Sequence, residues 1–321
     1  MGRNLVTGGL GFLGSYIARG LLDRGEEAVI FDAKSEAPYF AADLEGKVEI
    51  VQGDISNWTN VLDTVKKYGI DSIYHAAGLV TRASAEDLSR AFKVNVGGMM
   101  NVLEAARILG VKDVLFTSTC STYGSIVSPP PATLDDYTLQ KPDTMYAVTK
   151  VCCEKLGEQY YRQYGVNFRA IRYSMVVGLG RPLSYFYGDW SGVIEVPAQG
   201  KPYTAHSDPS IPCSYIYGRD AVRAMFALKD APENSLRQRV YSIDGFTANL
   251  DEVIAAVRKH IPDARINFEA DKTGEMKAYN GALGFKVDNT AAFEDFGYKP
   301  QYLLDDMVAD FIKEVRGAKA S

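Results

Sequence analysis

The stretch LVTGGLGFLGSYIARGL, residues 5–21, decides how the rest of the chain is read. Gly8, Gly11 and Gly14 stand between a short apolar run and a helical pattern, the spacing of a phosphate-cradling turn. The first glycine permits a tight turn, the second lets backbone approach a pyrophosphate, and the third lets helix pack closely on strand. With Phe12 and Leu13 they form the candidate dinucleotide cradle. The next apolar run ends VIFDAK, so Asp32 lies at a strand's C-terminal end, where its carboxylate can accept bonds from both ribose hydroxyls. A carboxylate there repels a 2′-phosphate, and NAD is expected rather than NADP.

Outward from that loop, β-rich runs alternate with amphipathic helical patterns. KVEIVQGD, SIYHAAG, DVLFTSTCS and NFRAIRYSMVVG read as strands, with NWTNVLDTVKKYG, SRAFKVNVGGMMNVLEAARILG and TMYAVTKVCCEKLGEQYYRQYG as helices between them. Strands separated by helices need crossover connections, and hence a parallel sheet covered on both faces. The expected fold is α/β, a Rossmann-type doubly wound parallel sheet with a smaller interleaved C-terminal substrate domain. Residues 1–173 are assigned to the NAD-binding domain, completed by part of 213–245, and residues 174–321 to the smaller one. Beyond about residue 178 the pattern loosens into GLGRPLSYFYGDWSGVIEVPAQGKPYTAHSDPSIP, read as irregular functional chain because it is too aromatic for disorder. CSYIYGRDAVRAMFALKDAP then resumes as strand and helix, and NLDEVIAAVRKHIP and YLLDDMVADFIKEVR close the chain as helices.

Composition narrows the partners. The 321 residues are 46% hydrophobic, enough for a full core without a membrane-type excess. A net charge of −5 with both signs interspersed gives no basic footprint, which argues against nucleic acid or an anionic membrane and for a small-molecule substrate. The four cysteines (Cys120, Cys152, Cys153, Cys213) show no C-x-x-C spacing and the three histidines are dispersed, so no metal site is expected. A strand is expected to start within MGRNLVTGG, so no leader is expected, and no apolar run approaches ~20 residues. The expected compartment is the cytoplasm.

Other strand ends supply further candidates. Asp54, followed by Ile55, stands in VQGDIS where an adenine amino group can be bonded. Ala76, Ala77 and Gly78 in YHAAG are small residues where backbone passes a ligand. His75 before them is read as a packed structural residue. In TMYAVTK, residues 144–150, Tyr146 and Lys150 share one helical face.

In order along the chain, TGGLGFLG, Asp32, GDI, HAAG, VNVGGMMNVLEAA, FTSTCSTYG and YAVTK resemble the extended short-chain dehydrogenases/reductases, the NAD-dependent epimerase/dehydratase family. The likeness covers nearly the whole chain. It implies Tyr146 as catalytic acid/base, Lys150 as its partner reaching the nicotinamide ribose, and Thr119 as the residue bonding the substrate oxygen. Tyr146, Lys150, Asn95, Tyr173, Met175 and Val176 then join the cofactor contacts. A phenol of pKa ~10 is a poor base at neutral pH, and the nearby Lys150 ammonium is expected to lower it. On the substrate side stand Ser118, Cys120, Ser121, Arg181 and Tyr185, with Tyr123 as pocket wall or packing. Cys120 has no base near it in sequence and is not expected to act as a nucleophile.

Several segments, among them NVLEAAR and FGYKPQYLLDDMVADFI, resemble L-threonine 3-dehydrogenase-like members more closely than sugar-nucleotide enzymes. Where those dehydrogenases carry a Pro-Gly-Ile type turn, this chain has Ser174, Met175, Val176 and Val177. Where the sugar-nucleotide enzymes carry a basic residue for a diphosphate it has Cys213, leaving Arg82, Arg181 and Arg219 as possible substitutes. Tyr185, Phe186, Tyr187, Trp190 and Tyr203 form either an aromatic lid or inter-domain packing. The resulting expectation is an NAD-dependent oxidoreductase acting on a secondary alcohol of a small polar or carbohydrate-like substrate. An NAD-dependent epimerase is the enzymatic alternative and a dinucleotide-sensing scaffold the non-enzymatic one. Family likeness also implies a homodimer through helices near 92–109 and 146–164, with Met99, Met100 and Leu103 compatible with the contact and also with an ordinary core face.

Overall fold

The computed structural model describes residues 2–124, 132–183, 188–269 and 285–320. Seven strands, β1 (Arg3–Thr7), β2 (Glu27–Asp32), β3 (Glu49–Gln52), β4 (Ile70–His75), β5 (Asp113–Thr119), β7 (Asn167–Tyr173) and β11 (Val240–Ile243), form one sheet. Its order is β11-β7-β5-β4-β1-β2-β3 and every pairing is parallel. The chain winds outward from β1 in one direction through β2 and β3, then returns to the other side of β1 with β4. That reversal leaves a crevice at the C-terminal ends of β1 and β4, the place where doubly wound sheets bind ligands.

Both faces of the sheet are covered, so its strands read as near-continuous apolar runs. Successive residues point to opposite faces. Val6, Ile30 and Leu115 pack with Ile17 and Leu21 of α1 (Phe12–Asp23) and with Val222 and Phe226 of α8 (Gly218–Asp230). Their neighbours Leu5, Val29, Phe31 and Val114 pack on the other face with α2 (Trp58–Tyr68), α5 (Gly98–Leu109) and α6 (Met145–Tyr164). Helix ends follow local chemistry. The Asn57 side chain accepts from the Asn60 amide to start α2, and Gly69 ends it at φ 59°, a left-handed conformation that glycine adopts without strain.

Four features differ from the sequence reading or decide between its alternatives. The run NFRAIRYSMVVG is two strands, because the chain leaves the large sheet after Tyr173. β8 (Met175–Val177) pairs with β10 (Cys213–Tyr217), which pairs in turn with β12 (Phe246–Ala248). The helix expected to run through Leu109 is interrupted. α3 (Thr81–Glu86) and α4 (Leu88–Phe92) precede a π turn at Lys93–Gly97, from which α5 continues. The stretch read as irregular contains α7 (Asp189–Ala198) and β9 (Tyr203–Ala205), the latter paired with β13 (Ile266–Phe268). All of α7 except Val196 is buried, so it lacks the two-faced periodicity that betrays a surface helix, and Gly192 and Pro197 mask it further. Finally, Met99 and Leu103 are fully buried against the sheet, with Met100 packed partly against the same core, so Met99 and Leu103 are not available to a partner chain.

The C-terminal lobe has its own core. Trp190, Val193 and Ile194 of α7 meet Val253 and Val257 of α9 (Leu250–His260) and Met307, Phe311 and Val315 of the last helix, Leu304–Ala320. A further parallel pair, β6 (Ala132–Leu134) with β14 (Phe285–Val287), lies over Cys120 and Tyr123. Among the described residues no helix is long and apolar enough to cross a membrane, and no group of three or more His, Cys, Asp or Glu side chains is placed to hold a metal ion.

Candidate active site

The glycine turn is dictated by how closely three backbone segments meet. Gly8 ends β1 at φ 69°, and a Cβ there would stand 2.7 Å from the Ala77 Cα at the end of β4. A Cβ on Gly14 would stand 2.1 Å from the Gly8 carbonyl oxygen, so helix and turn could not close with any side chain there. The Gly11 amide donates to that same carbonyl (3.0 Å), and Gly11 precedes α1 with no side chain capping it. The first amides of α1, from Phe12 and Leu13 onward, are therefore left for an anion, with the positive end of the helix behind them. Asp32 closes the loop from β2. One carboxylate oxygen accepts from the Leu10 amide (3.0 Å) and the other from the Lys34 amide (3.1 Å). Asp54 accepts from the Ser56 amide and hydroxyl at 2.8 and 2.9 Å, and Ile55 is buried against Gly98.

On the opposite lip, the Ala76 amide donates to the Thr7 carbonyl and the Ala77 amide to the Thr7 hydroxyl. His75 bonds that hydroxyl at 2.7 Å and stacks on Phe116; burial, then the charge of Lys150, holds its pKa down at about 3, so it is a neutral packing residue. Gly78 leads to Leu79, whose amide donates to Asn95 Oδ1 (2.7 Å). Asn95 Nδ2 donates to the Leu79 carbonyl (3.0 Å) and to the Thr149 hydroxyl (2.9 Å). Both its donors are thus engaged by protein. The π turn aims its amide at the crevice loop and fastens that loop to α6.

Beside the crevice, α6 carries Tyr146 and Lys150 one turn apart, with Thr144 capping its start by accepting from the Ala147 amide. Thr119 ends β5 with its hydroxyl beside the Tyr146 phenol. Its hydroxyl also bonds the Ser121 hydroxyl and accepts from the Ser121 amide, both at 3.1 Å. Lys150 is buried; its ammonium donates to the Thr117 carbonyl (2.7 Å) and lies 5.6 Å from the centre of the Tyr146 ring. Burial pushes the phenol of Tyr146 up to about 12, against which the Arg181 cation and the Thr119 hydroxyl pull it down. Arg181 thus joins Lys150 as a cation on the side of the phenolate. Lys150 is itself held down at about 8 by burial and is directed at backbone.

Residues 4–244 match the family described as NAD dependent epimerase/dehydratase. The chain belongs to that family. The mitochondrial L-threonine 3-dehydrogenase of Bos taurus is 28% identical to it over 313 residues, which cover 97% of this chain and 82% of that one. The L-threonine dehydrogenase of Phytophthora infestans is 28% identical, with a TM-score of 0.86 over 98% of this chain and 99% of that one. A UDP-glucose 4-epimerase from Thermotoga maritima, 22% identical, shares the fold at a TM-score of 0.84 over 99% of each chain. The dinucleotide in the family's description fits what is present. The cradle at Gly8, Gly11 and Gly14 tolerates no side chain at its tightest point, and the uncapped start of α1 faces it.

Within this epimerase/dehydratase frame several sequence assignments are corrected. Ser118 is buried and donates to Glu154 Oε1 at 2.5 Å, on the helix side of the sheet and away from any substrate. Cys120 is buried too; its thiol donates to the Arg172 carbonyl, and burial pushes its pKa well up, which leaves it inert and off the substrate side. Tyr173 turns its ring into the core and donates to the Ala221 carbonyl, so only its backbone borders the crevice. Tyr123 bonds Ser242, the Asp135 carbonyl and Arg172, and is packing. Arg82 pairs with Glu86 at the surface and Arg219 with Asp310 beside the last helix. Trp190 is core, and Tyr203 donates to Asp189 behind α7, so neither belongs to a lid. Tyr185, Phe186 and Tyr187 lie outside the described residues. Ser121 does meet Thr119.

Arg181 comes to the site along β8, donating to the Val176 carbonyl (2.6 Å) and to the Met175 sulfur (3.2 Å), with its guanidinium 5.9 Å from the Phe12 ring centre. Sequence reasoning missed what lies behind the catalytic set. Glu154, one turn beyond Lys150, takes a bidentate bond from Arg172 of β7 (3.0 and 2.8 Å) and one from Gln140 (2.8 Å). The signal was present, since Tyr146, Lys150 and Glu154 recur at four-residue steps and Arg172 interrupts an apolar strand. Ser174, directly after the strand residue that registers with Thr119, carries a buried hydroxyl with no partner among the described residues.

Proposed function

We propose that the chain oxidises a secondary alcohol of a small polar or carbohydrate-like substrate by NAD-dependent hydride transfer, with Tyr146 as acid/base. The observation that carries this reading is the Tyr146 phenol with the Thr119 hydroxyl beside it, next to the crevice where Gly8 meets Ala77. Two hydroxyls that meet there can hold one carbinol oxygen between them. The dinucleotide, when bound, supplies the acceptor for the hydride leaving the carbinol carbon with its electron pair. Tyr146, as phenolate, accepts the hydroxyl proton, and Thr119 holds the oxygen as it becomes a carbonyl. Lys150, fixed on the Thr117 carbonyl, and Asn95, fixed on Leu79, hold the floor and lip of the site. Asp32 favours NAD over NADP by charge repulsion.

A dehydrogenase is favoured over a sugar-nucleotide epimerase by Cys213, buried within β10, which offers no cation to a diphosphate. The test is growth of NADH absorbance with purified protein, excess NAD and a panel of 3-hydroxy acids, 3-hydroxy amino acids, aldoses, uronates and sugar nucleotides. Stoichiometric NADH with one group, at least about tenfold faster with NAD than with NADP, is the expected result. Isomerised product without NADH would replace this reading with an epimerase. Equal use of NADP would remove the role given to Asp32. The four unbridged cysteines are in keeping with a reducing compartment, and we place the protein in the cytoplasm.

The partner, besides substrate, is proposed to be a second copy. With Met99 and Leu103 facing inward, the exposed apolar residues along these helices include Leu88, Phe92 and Val148, at 56%, 49% and 40% exposure. Light scattering coupled to size exclusion should give twice the 35.2 kDa chain mass, and Phe92→Glu should return it to one. A monomer mass for the unmodified protein at micromolar concentration rules the dimer out.

A further inference from the structure

Two phenols cross the seam between the large sheet with its helices and the C-terminal lobe, and both come from elements that frame the dinucleotide crevice. Tyr16 lies one turn into α1, and its hydroxyl donates to Glu314 of the last helix at 2.6 Å. Tyr39 opens a 3-10 turn, Tyr39–Leu44, that follows Asp32 at the end of β2, and its hydroxyl donates to Glu195 of α7 at 2.5 Å. The two bonds are not alike. Tyr16 is buried, its oxygen also accepts from the Leu179 amide (2.9 Å), and Tyr217 donates to the same carboxylate (2.9 Å), so this end of the seam is sealed. Tyr39 is 59% exposed, whereas Glu195 is buried and its second oxygen meets no partner among the described residues. An exposed phenol can exchange its carboxyl for water at little cost, which a sealed one cannot.

The turn behind Tyr39 is tied to both sides. Arg19 of α1 donates to the Phe40 carbonyl and pairs with Asp43 (2.8 and 2.7 Å). The Phe40 ring fills the space beside Gly180, where a Cβ would stand 2.5 Å from it. Residues 33–44 therefore run as a strap from Asp32 past α1 to the segment that follows β8, and the Lys34 amide fastens their start to the Asp32 carboxylate. A dinucleotide held between the glycine turn and Asp32 and reaching Tyr146 lies along this seam. We propose that the bond from Tyr39 to Glu195 is a latch that closes the strap onto the C-terminal lobe and sets how fast the dinucleotide leaves the crevice. This rests on the NAD-dependent reading of the same crevice. Tyr16 with Glu314 is the pivot, and Tyr39 with Glu195 the opening edge. A buried carboxyl with one oxygen unpartnered gives α7 no stability that leucine would not, so the bond it accepts from the strap is what accounts for it.

The test is the rate of NADH release, followed by stopped-flow fluorescence as excess NAD displaces it. In Tyr39→Phe release should be about tenfold faster than in wild type, the effect of losing one hydrogen bond to a carboxyl. Glu195→Leu removes the bond from the other side and should release as fast, with an unfolding midpoint no lower than wild type. Glu195→Gln keeps an acceptor for the phenol and should stay within about twofold of wild type. Release from Tyr39→Phe within about twofold of wild type overturns the latch. So does Glu195→Gln releasing as fast as Tyr39→Phe, since the carboxyl's charge and not the bond would then be at work. Hydrogen exchange over residues 39–44 of the free protein gives a second readout, expected faster in Tyr39→Phe and unchanged in Glu195→Gln. Faster exchange with unchanged NADH release would leave the turn a structural tie and overturn its part in release. The two failures are distinct: a wild type that binds no NADH removes the NAD reading, whereas the latch falls when NADH binds and leaves Tyr39→Phe at the wild-type rate.

Discussion

Tyr146→Phe lowers kcat/KM for alcohol oxidation by about 10³-fold, within the range that a positioned acid/base contributes, while NAD affinity and the unfolding midpoint stay near wild type. The stability half of this expectation follows from the surroundings. Tyr146 is half-buried, and its one described partner, the Thr119 hydroxyl, keeps Ser121 when the phenol is gone. The cost of the missing hydroxyl is then about 1 kcal/mol or less. The pH profile adds a second signature. A phenol held above its ordinary value is protonated at neutral pH, so the phenolate fraction, and with it the oxidation rate, rises about tenfold per pH unit through the neutral range. The groups facing it are Thr119, Arg181, Lys150 and Cys153. Arg181 keeps its charge, the Cys153 thiol is pushed up to about 12 and stays neutral, and Lys150 discharges near 8, where the profile should bend. In Tyr146→Phe the rise disappears. A variant within about threefold of wild type, with the slope intact, would remove Tyr146 from the mechanism.

What could be read from sequence divides along physical lines. Gly8, Gly11 and Gly14 were legible because steric closeness forbids other residues: a Cβ at Gly14 would overlap the Gly8 carbonyl oxygen. The doubly wound sheet was legible because buried strands and two-faced helices write opposite periodicities. α7 was not, since a helix buried on every side has no period to show and Pro197 sits in its last turn. Ser118 and Tyr173 were misplaced for one reason. Alternation along β5 and β7 sends neighbouring side chains to opposite faces, and sequence does not say which face borders the ligands. Arg181 came to notice as one cation among several, and only the fold places it on β8 beside Phe12, while Arg82 and Arg219 lie with Glu86 and Asp310.

Glu154→Ala should destabilise the protein by about 3–5 kcal/mol, the usual consequence of leaving one member of a buried ion pair without the other. The pair is nearly sealed, with side-chain exposures of 5% for Arg172 and 0% for Glu154, so water cannot replace the lost carboxylate. Ser118 and Gln140 lose an acceptor at the same time, and among the described residues only the Tyr123 hydroxyl and the Asp136 carbonyl remain to the guanidinium. Urea unfolding followed by tryptophan fluorescence measures the loss, and should it leave too little folded protein, the double replacement Glu154→Leu with Arg172→Met provides the second arm. Removing both charges should recover most of the stability, because neither buried partner is then stranded. The activity of that double variant separates two roles. Ser118 adjoins Thr119, and Glu154 lies one turn from Lys150, so a pair that only fills the core can be replaced by apolar side chains with kcat kept. A pair that also holds the catalytic hydroxyls in register cannot. The expected result is a stable double variant whose kcat falls about tenfold with KM little changed, from misplacement of Thr119 and Tyr146. If Glu154→Ala unfolds at the wild-type urea midpoint, the buried pair is not the strut it is taken to be.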